Sequence, residues 1–206
     1  MNVGITGARG LLGTEVSSHL GAVGHAVVDL DRYCRAPSPA ALDAIPGELD
    51  WVLHFAARTS IAASEQEPEA FIRENLASTR AALDVATSRR SALLFMSSYV
   101  YGRPRYNPID EHHPVSSLNA YMASKLESER ACQAVCQKQD VPLVILRPFS
   151  IFGARRQQGR LVSDLLECVR TGEPLAIHDP APRRDHLYVV DFCALVRLII
   201  EASPIR

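Results

Sequence analysis

The stretch "NAYMASKLESER", residues 119–130, reads as the start of a helix and sets Tyr121 and Lys125 one turn apart on one face. Of the 22 basic residues, 20 are arginine and only two are lysine, Lys125 and Lys138, so a lysine at this place is informative. A phenol, with a reference pKa of roughly 10, is a poor base at neutral pH. An ammonium nearby favours its ionised form. Such a tyrosine can take a proton from an alcohol while hydride leaves the carbon, or return it to a carbonyl. A guanidinium fork would not replace the compact ammonium there. Upstream, "FMSSYVYG" ends an apolar run with Ser97 and Ser98, where a hydroxyl could fix a substrate oxygen. Taken alone, Tyr-x-x-x-Lys occurs by chance on many helices.

A second constellation supports the first. "TGARGLLG" places Gly7, Gly10 and Gly13 between an apolar run and a helical pattern. Glycines there let a pyrophosphate approach the backbone at a helix N-terminus, against the first-turn residues Leu11, Leu12 and Gly13. "VVDLDR" supplies Asp31, 18 residues after Gly13 at the end of the next strand pattern. A carboxylate there can accept both ribose hydroxyls of an adenosine and would repel a 2′-phosphate, which points to NAD before NADP. The neighbouring Arg32 weakens that preference, and Asp29 lies further back on the strand. A bound nicotinamide cation would join Lys125 in favouring the Tyr121 phenolate, and Lys125 could also hold its ribose.

Strand-like runs alternate with helical patterns along the 206 residues. "NVGIT", "HAVVDL", "DWVLHFAA", "ALLFMSS" and "PLVILRP" read as strands, with helices over 11–24, about 68–88 and 119–139. This order predicts an α/β fold, a doubly wound parallel sheet of Rossmann type. Beyond Pro148 come an Arg/Gln-rich loop, a helix over about 159–171, a short strand "PLAI" and a last helix from about Val190. The expected division is a dinucleotide-binding domain over 1–150 and a reduced substrate lobe over 151–206. The net charge of -1 argues against a general binder of nucleic acid or anionic membrane, and the Arg pairs at 89–90, 155–156 and 183–184 read as solvated surface. No apolar run approaches the ~20 residues of a membrane span. The five cysteines form no CxxC, and Cys132 and Cys136 share a helix face as packing residues do, so no metal site is expected. A cytoplasmic protein with reduced thiols follows from that cysteine usage and from an N-terminus without a signal pattern.

The stretches "TGARGLLG", "HFAA", "SSYVYG", "YMASK", "LRPFSIFG" and "RRDHLYVVD" occur in an order that resembles the extended short-chain dehydrogenase/reductases, the nucleotide-sugar epimerase/dehydratase family. The resemblance implies a catalytic trio of Ser97, Tyr121 and Lys125, with Ser98 the second choice of hydroxyl. It implies that Phe55, Ala56, Ala57 and Pro148 line the cofactor, and that Asn75 supports its site. On the substrate side it implies Ser150, Ala176 (in a strand pairing with the base) and Arg184, the last gripping the diphosphate through a bidentate fork.

Where such relatives carry another strand with a Gly-Asp pair, "YCRAPSPAALDAIPGEL" has none, which implies a trimmed adenine pocket. Ser150 stands where relatives often have Asn, shortening one substrate contact. Relatives that eliminate water carry Asp-Glu after the catalytic hydroxyl, because dehydration needs its own acid and base. Here Ser98-Tyr99 stands in that place. The expectation is therefore an NAD-dependent 4-epimerase or ketoreductase of a nucleotide-linked sugar, the two undecided, with a non-catalytic NAD-binding regulator or decayed enzyme as the alternative. Relatives also continue for roughly a further domain's length. The apolar residues of the last helix then imply a homo-oligomer or a partner subunit covering the C-terminal third.

Overall fold

The computed structural model describes every residue except 35–37, 154–158, 178, 180, 182 and 203–206. In chain order the elements are β1 (Asn2–Thr6), α1 (Leu11–Ala22), β2 (Ala26–Asp29), α2 (Asp31–Cys34), α3 (Pro39–Asp43), β3 (Trp51–His54), α4 (Ile61–Gln66), α5 (Pro68–Arg89), β4 (Ala92–Met96), α6 (Ala120–Gln139), β5 (Leu143–Leu146), β6 (Ser150–Phe152), α7 (Leu161–Thr171), β7 (His186–Tyr188) and α8 (Val189–Ala202). Five strands form one parallel sheet in the order β2-β1-β3-β4-β5. The central strands β3 and β4 are buried along their whole length, as continuous apolar runs in a sheet covered on both faces must be.

The two covered faces are distinct. On one, Val16 and Leu20 of α1 and Phe192, Val196 and Ile200 of α8 pack with Val3, Ile5, Trp51, Leu53 and Leu94. On the other, α5 and α6 bring Ala82, Val85, Ala86, Cys132 and Cys136 against Val52, Leu93 and Phe95. Cys132 and Cys136 are thus core residues. Chain direction across the sheet reverses beside β1, so the ends of β1 and β3 flank the switch point where ligands of such sheets bind.

The segment between β2 and β3, read as lacking the relatives' further strand, has none among its described residues, and three other readings differ for physical reasons. Between β2 and β3, the described residues form the short helices α2 and α3. Pro39 starts α3, and the Ser38 hydroxyl accepts from Ala41 N at 3.1 Å, a helix N-cap. Arg89, expected in solvent, instead donates to Leu42 O at 2.6 Å and Ile45 O at 3.0 Å, tying this segment to α5. "PLAI" is not a strand: residues 174–177 are irregular, and the second sheet pairs β6 with β7, Ser150 opposite His186. Leu187 and Ile151 pack against the α1/α8 core, which gives that pair its anchorage. Finally α8, expected within the separate lobe, shares one apolar cluster with the main sheet, so the core extends across residue 150. The pair Arg155–Arg156 and His178 lie outside the described residues.

Candidate active site

The glycine turn joins β1 to α1. Gly7 has φ +70, and a Cβ on it would lie 2.7 Å from Ala56 N, while one on Gly13 would meet Gly7 O at 2.1 Å. These two glycines are required by chain packing alone. A Cβ on Gly10, the exposed N-cap of α1, would lie a tight 3.2 Å from Gly7 O and meet nothing else within 4 Å. No carboxylate occupies the first turn of α1, and the amides of Leu11, Leu12 and Gly13 have no acceptor within the helix. A helix N-terminus of this kind can seat an anion. Asp31, at the start of α2, accepts from Gly7 N at 2.5 Å, so the acid stands directly against the turn. Arg9 pairs with Asp29 at 3.6 Å, and Arg32 lies over the Tyr33 ring at 4.5 Å while donating to its hydroxyl.

The segment after β3 is held by buried polar groups. Phe55 meets Phe192 edge-on at 6.2 Å, and Ala56 N lies 3.4 Å from Thr6 Oγ1. Asn75 is buried in α5, where its Oδ1 accepts from Arg58 N at 2.8 Å and its Nδ2 donates to Ser124 Oγ at 2.9 Å. It therefore fastens the chain just past Ala57 to α6. Beneath the turn, His54 bridges Thr6 Oγ1 at 2.6 Å and Thr79 Oγ1 at 3.2 Å. Burial and the charge of Lys125 lower its pKa to about 3, which keeps the ring neutral.

Asn119 caps α6 by accepting from Met122 N at 2.8 Å, which fixes Tyr121 in the first turn. The residues of α6 at 121, 125 and 129 then meet three successive residues at the end of β4. Lys125 Nζ donates to Met96 O at 2.7 Å. Ser97 Oγ donates to Glu129 Oε1 at 2.5 Å. Ser98 is the hydroxyl residue whose side chain acts on the Tyr121 phenol, lowering its pKa. Burial pushes the Tyr121 pKa up, opposed by the Ser98 bond and by the positive charge of Arg160. Burial lowers the Lys125 pKa to about 8, opposed by Cys132 and Glu129.

Two of the expected catalytic residues have partners of their own. Ser97, the first choice of hydroxyl, is buried and donates to Glu129, while Ser98, the second choice, acts on the Tyr121 phenol. The Lys125 ammonium is bonded to the strand carbonyl. Three charged residues escaped the sequence reading: Glu129, Arg147 and Arg160. Glu129 was legible as the acid one turn beyond Lys125, and Arg147 as the charge inside "ILRP". Nothing local marks Arg160.

The substrate-side residues are less gathered. Ser150 N donates to Asp185 O at 3.2 Å, so the β6/β7 pairing brings Ser150 beside the residue following Arg184. Arg184 is exposed and its Nη1 donates to Arg183 O at 3.2 Å. Ala176 is exposed in the irregular segment before β7. Pro148 lies between β5 and β6. A cleft of about 410 Å³, lined by Tyr101, Arg103, Arg105, Ser116 and Leu118 among others, opens in the connection from β4 to α6. Among the described residues, no cluster of His, Cys, Asp or Glu could hold a metal ion.

The family model described as "NAD dependent epimerase/dehydratase family" matches residues 3–205. The chain belongs to that family. It is 28% identical to the UDP-glucose 4-epimerase of Streptomyces lividans, over an alignment covering 97% of this chain and 71% of that protein. The UDP-glucose 4-epimerase of Thermotoga maritima, solved with UDP-glucose, superposes with a TM-score of 0.85 at 21% identity, over 98% of this chain and 74% of that one. RMD from Pseudomonas aeruginosa, complexed with NADPH, also gives 0.85, at 22% identity over 97% and 73%. These two likenesses establish the shared Rossmann-type fold. The chain spans only part of its curated relatives, from 31% of one to 72% of another. Among the described residues, no helix is long and apolar enough to cross a membrane.

Proposed function

We propose that the chain binds a nicotinamide dinucleotide and acts on a nucleotide-linked sugar by hydride transfer, as an epimerase or ketoreductase, with Tyr121 as the acid/base. The observation that carries this is the meeting of Tyr121, Ser98 and Lys125 at the end of β4, in the same sheet whose β1 end carries the glycine turn. The turn fits the cofactor: Gly10 is open, the first-turn amides of α1 are unpaired, and Asp31 presents a carboxylate beside them. Gly10, Leu11, Leu12 and Gly13 hold the diphosphate, Asp31 the adenosine ribose, and Phe55, Ala56, Ala57 and Pro148 flank the rest. The dinucleotide, when bound, supplies the hydride acceptor and donor. Tyr121 exchanges the proton with the sugar oxygen while Ser98 orients that oxygen. Burial strengthens the phenol's hold on its proton, so the resting phenol is neutral and carries the proton that a carbonyl would receive. Removal of a proton from an alcohol calls for added positive charge near the phenol, the part assigned to Lys125.

Ser150, Ala176 and Arg184 mark the substrate side, with Arg184 toward the diphosphate; its exposed guanidinium is open to that role. Ser98-Tyr99, in place of an acidic pair, favours epimerisation or reduction over loss of water. Asp31 favours NAD over NADP, while Arg9 and Arg32 beside it leave a route to a 2′-phosphate. One geometric fact favours the alternative, a dinucleotide-binding protein without turnover: Lys125 is bonded to Met96 O and not to the phenol.

The test is incubation of the purified chain with UDP-glucose or UDP-galactose and each cofactor, following both sugar interconversion and absorbance of the reduced nicotinamide. Turnover with NAD, and weaker NAD binding by Asp31→Ala, are expected. Cofactor binding without any turnover across several nucleotide sugars would select the alternative. Tighter binding of NADP by the unaltered chain would reverse the cofactor assignment.

A further inference from the structure

Tyr121, Lys125 and Glu129 are spaced by four along α6 and share a face. Each engages one of three consecutive residues at the end of β4: Ser98, Met96 O and Ser97 respectively. Of these three contacts the outermost is clamped from a further strand. Arg147, just beyond the end of β5, donates from Nε to Glu129 Oε1 at 2.9 Å and from Nη2 to Oε2 at 2.6 Å. Glu129 is 3% exposed, so its charge is buried and fully occupied by a bidentate guanidinium and one serine. The Arg147 guanidinium also lies 5.4 Å from the Tyr101 ring centroid, which restrains the clamp from its other side.

We propose that Glu129 is a positioning residue for the reaction proposed above: it fixes the end of β4 through Ser97, thereby setting Ser98 against Tyr121, and supplies the negative charge that balances the buried Lys125. The inference rests on that functional reading for its purpose. Ser97 and Ser98 are consecutive residues just past the end of β4, so a bond that fixes Ser97 also restrains the backbone that carries Ser98. Holding Ser97 to Glu129 keeps that backbone beside the first turn of α6, where the phenol stands. The charge effect follows from what surrounds Lys125. From its own helix it is influenced by Glu129 and Cys132, and from β4 it meets the Phe95 ring at 5.2 Å and Met96 O. From β3 it is felt by neutral His54, and from the β5 side Arg147 is neutralised by Glu129. Glu129 is the one carboxylate in that set. Without it, the buried Lys125 and the half-buried Arg147 would be two cations with no counter-charge among these neighbours.

The chain's two lysines make the test direct. Protein labelled with ¹³C at the lysine ε-carbon gives one signal for Lys125 and one for Lys138, and the Lys125 signal titrates in the unaltered protein near its lowered pKa of about 8. Glu129→Gln is expected to move that titration down by on the order of one pH unit, with Lys138 unmoved. Ser97→Ala keeps the charge but cuts the anchor. It is expected to leave Lys125 in place and to raise the Tyr121 titration, read as difference absorbance against Tyr121→Phe, because the Ser98 bond loosens. With an active substrate, Ser97→Ala should also lose about tenfold or more in kcat at little change in KM. An unmoved Lys125 in folded Glu129→Gln, or an unmoved Tyr121 in Ser97→Ala, overturns the proposal. If Glu129→Gln does not fold, the Tyr121 titration of Ser97→Ala decides it. Neither titration needs a substrate, so absence of turnover with nucleotide sugars would count against the functional reading without touching these two results.

Discussion

At the scale of single residues, the two serines ending β4 have different work despite being neighbours. Ser98 touches the phenol, and Ser97 is consumed by a buried carboxylate. Ser98→Ala should therefore lower kcat by on the order of tenfold while leaving thermal stability nearly unchanged. Ser97→Ala should in addition destabilise the fold by about 1–3 kcal/mol, since it removes a donor from a buried acceptor. Thermal unfolding of both variants beside their kinetics separates the two; equal stability loss in each would contradict the division. The sequence could show that a hydroxyl belonged at this strand end, because serines there precede a Tyr-x-x-x-Lys helix. It could not show which one, because the choice depends on Glu129, 32 residues away from Ser97 in the chain.

At the scale of elements, the five main strands and the three long helices were legible because each is a long apolar run or a strongly periodic segment. The misreadings fall where the signal is short and the environment decides. "PLAI" has the composition of a strand but no partner, whereas "HLY" becomes one by pairing with "SIF". The polar layer between α5, α6 and the sheet was also invisible, since Thr6, His54, Thr79 and Ser128 are far apart in sequence and contiguous only in space. That layer carries a prediction of its own. His54 has a folded-state pKa lowered to about 3 against an ordinary 6.5. Between those values the unfolded chain binds a proton that the folded one refuses. Stability should then fall as pH drops from about 6.5 toward 3. Urea unfolding at stepped pH should show this slope, and His54→Gln should flatten it. An unchanged slope in the variant would place the acid sensitivity elsewhere.

At the scale of the whole molecule, the covered faces of the sheet are complete, and the apolar surface left over is concentrated in the last third. Leu161, Leu165, Leu166 and Val169 are exposed on α7, and Val190, Leu195 and Leu198 on α8. The apolar residues of α8 proved to be of two kinds, since Phe192, Val196 and Ile200 are core. Exposed apolar stripes of this kind recruit a partner surface, either a second copy of the chain or another subunit, and the first is tested directly. Sedimentation at low micromolar concentration should show a dimer that Leu166→Glu weakens; a monomer unaffected by that change would contradict it. All of this scaffold serves one claim, that the phenol of Tyr121 moves the proton. The direct measurement is Tyr121→Phe, which removes one hydroxyl and little volume. With a substrate that the unaltered chain turns over, kcat is expected to fall by about 10²-fold or more while dinucleotide affinity stays within about twofold (well under 1 kcal/mol). Turnover that survives in Tyr121→Phe, or cofactor affinity lost in step with it, would contradict the assignment.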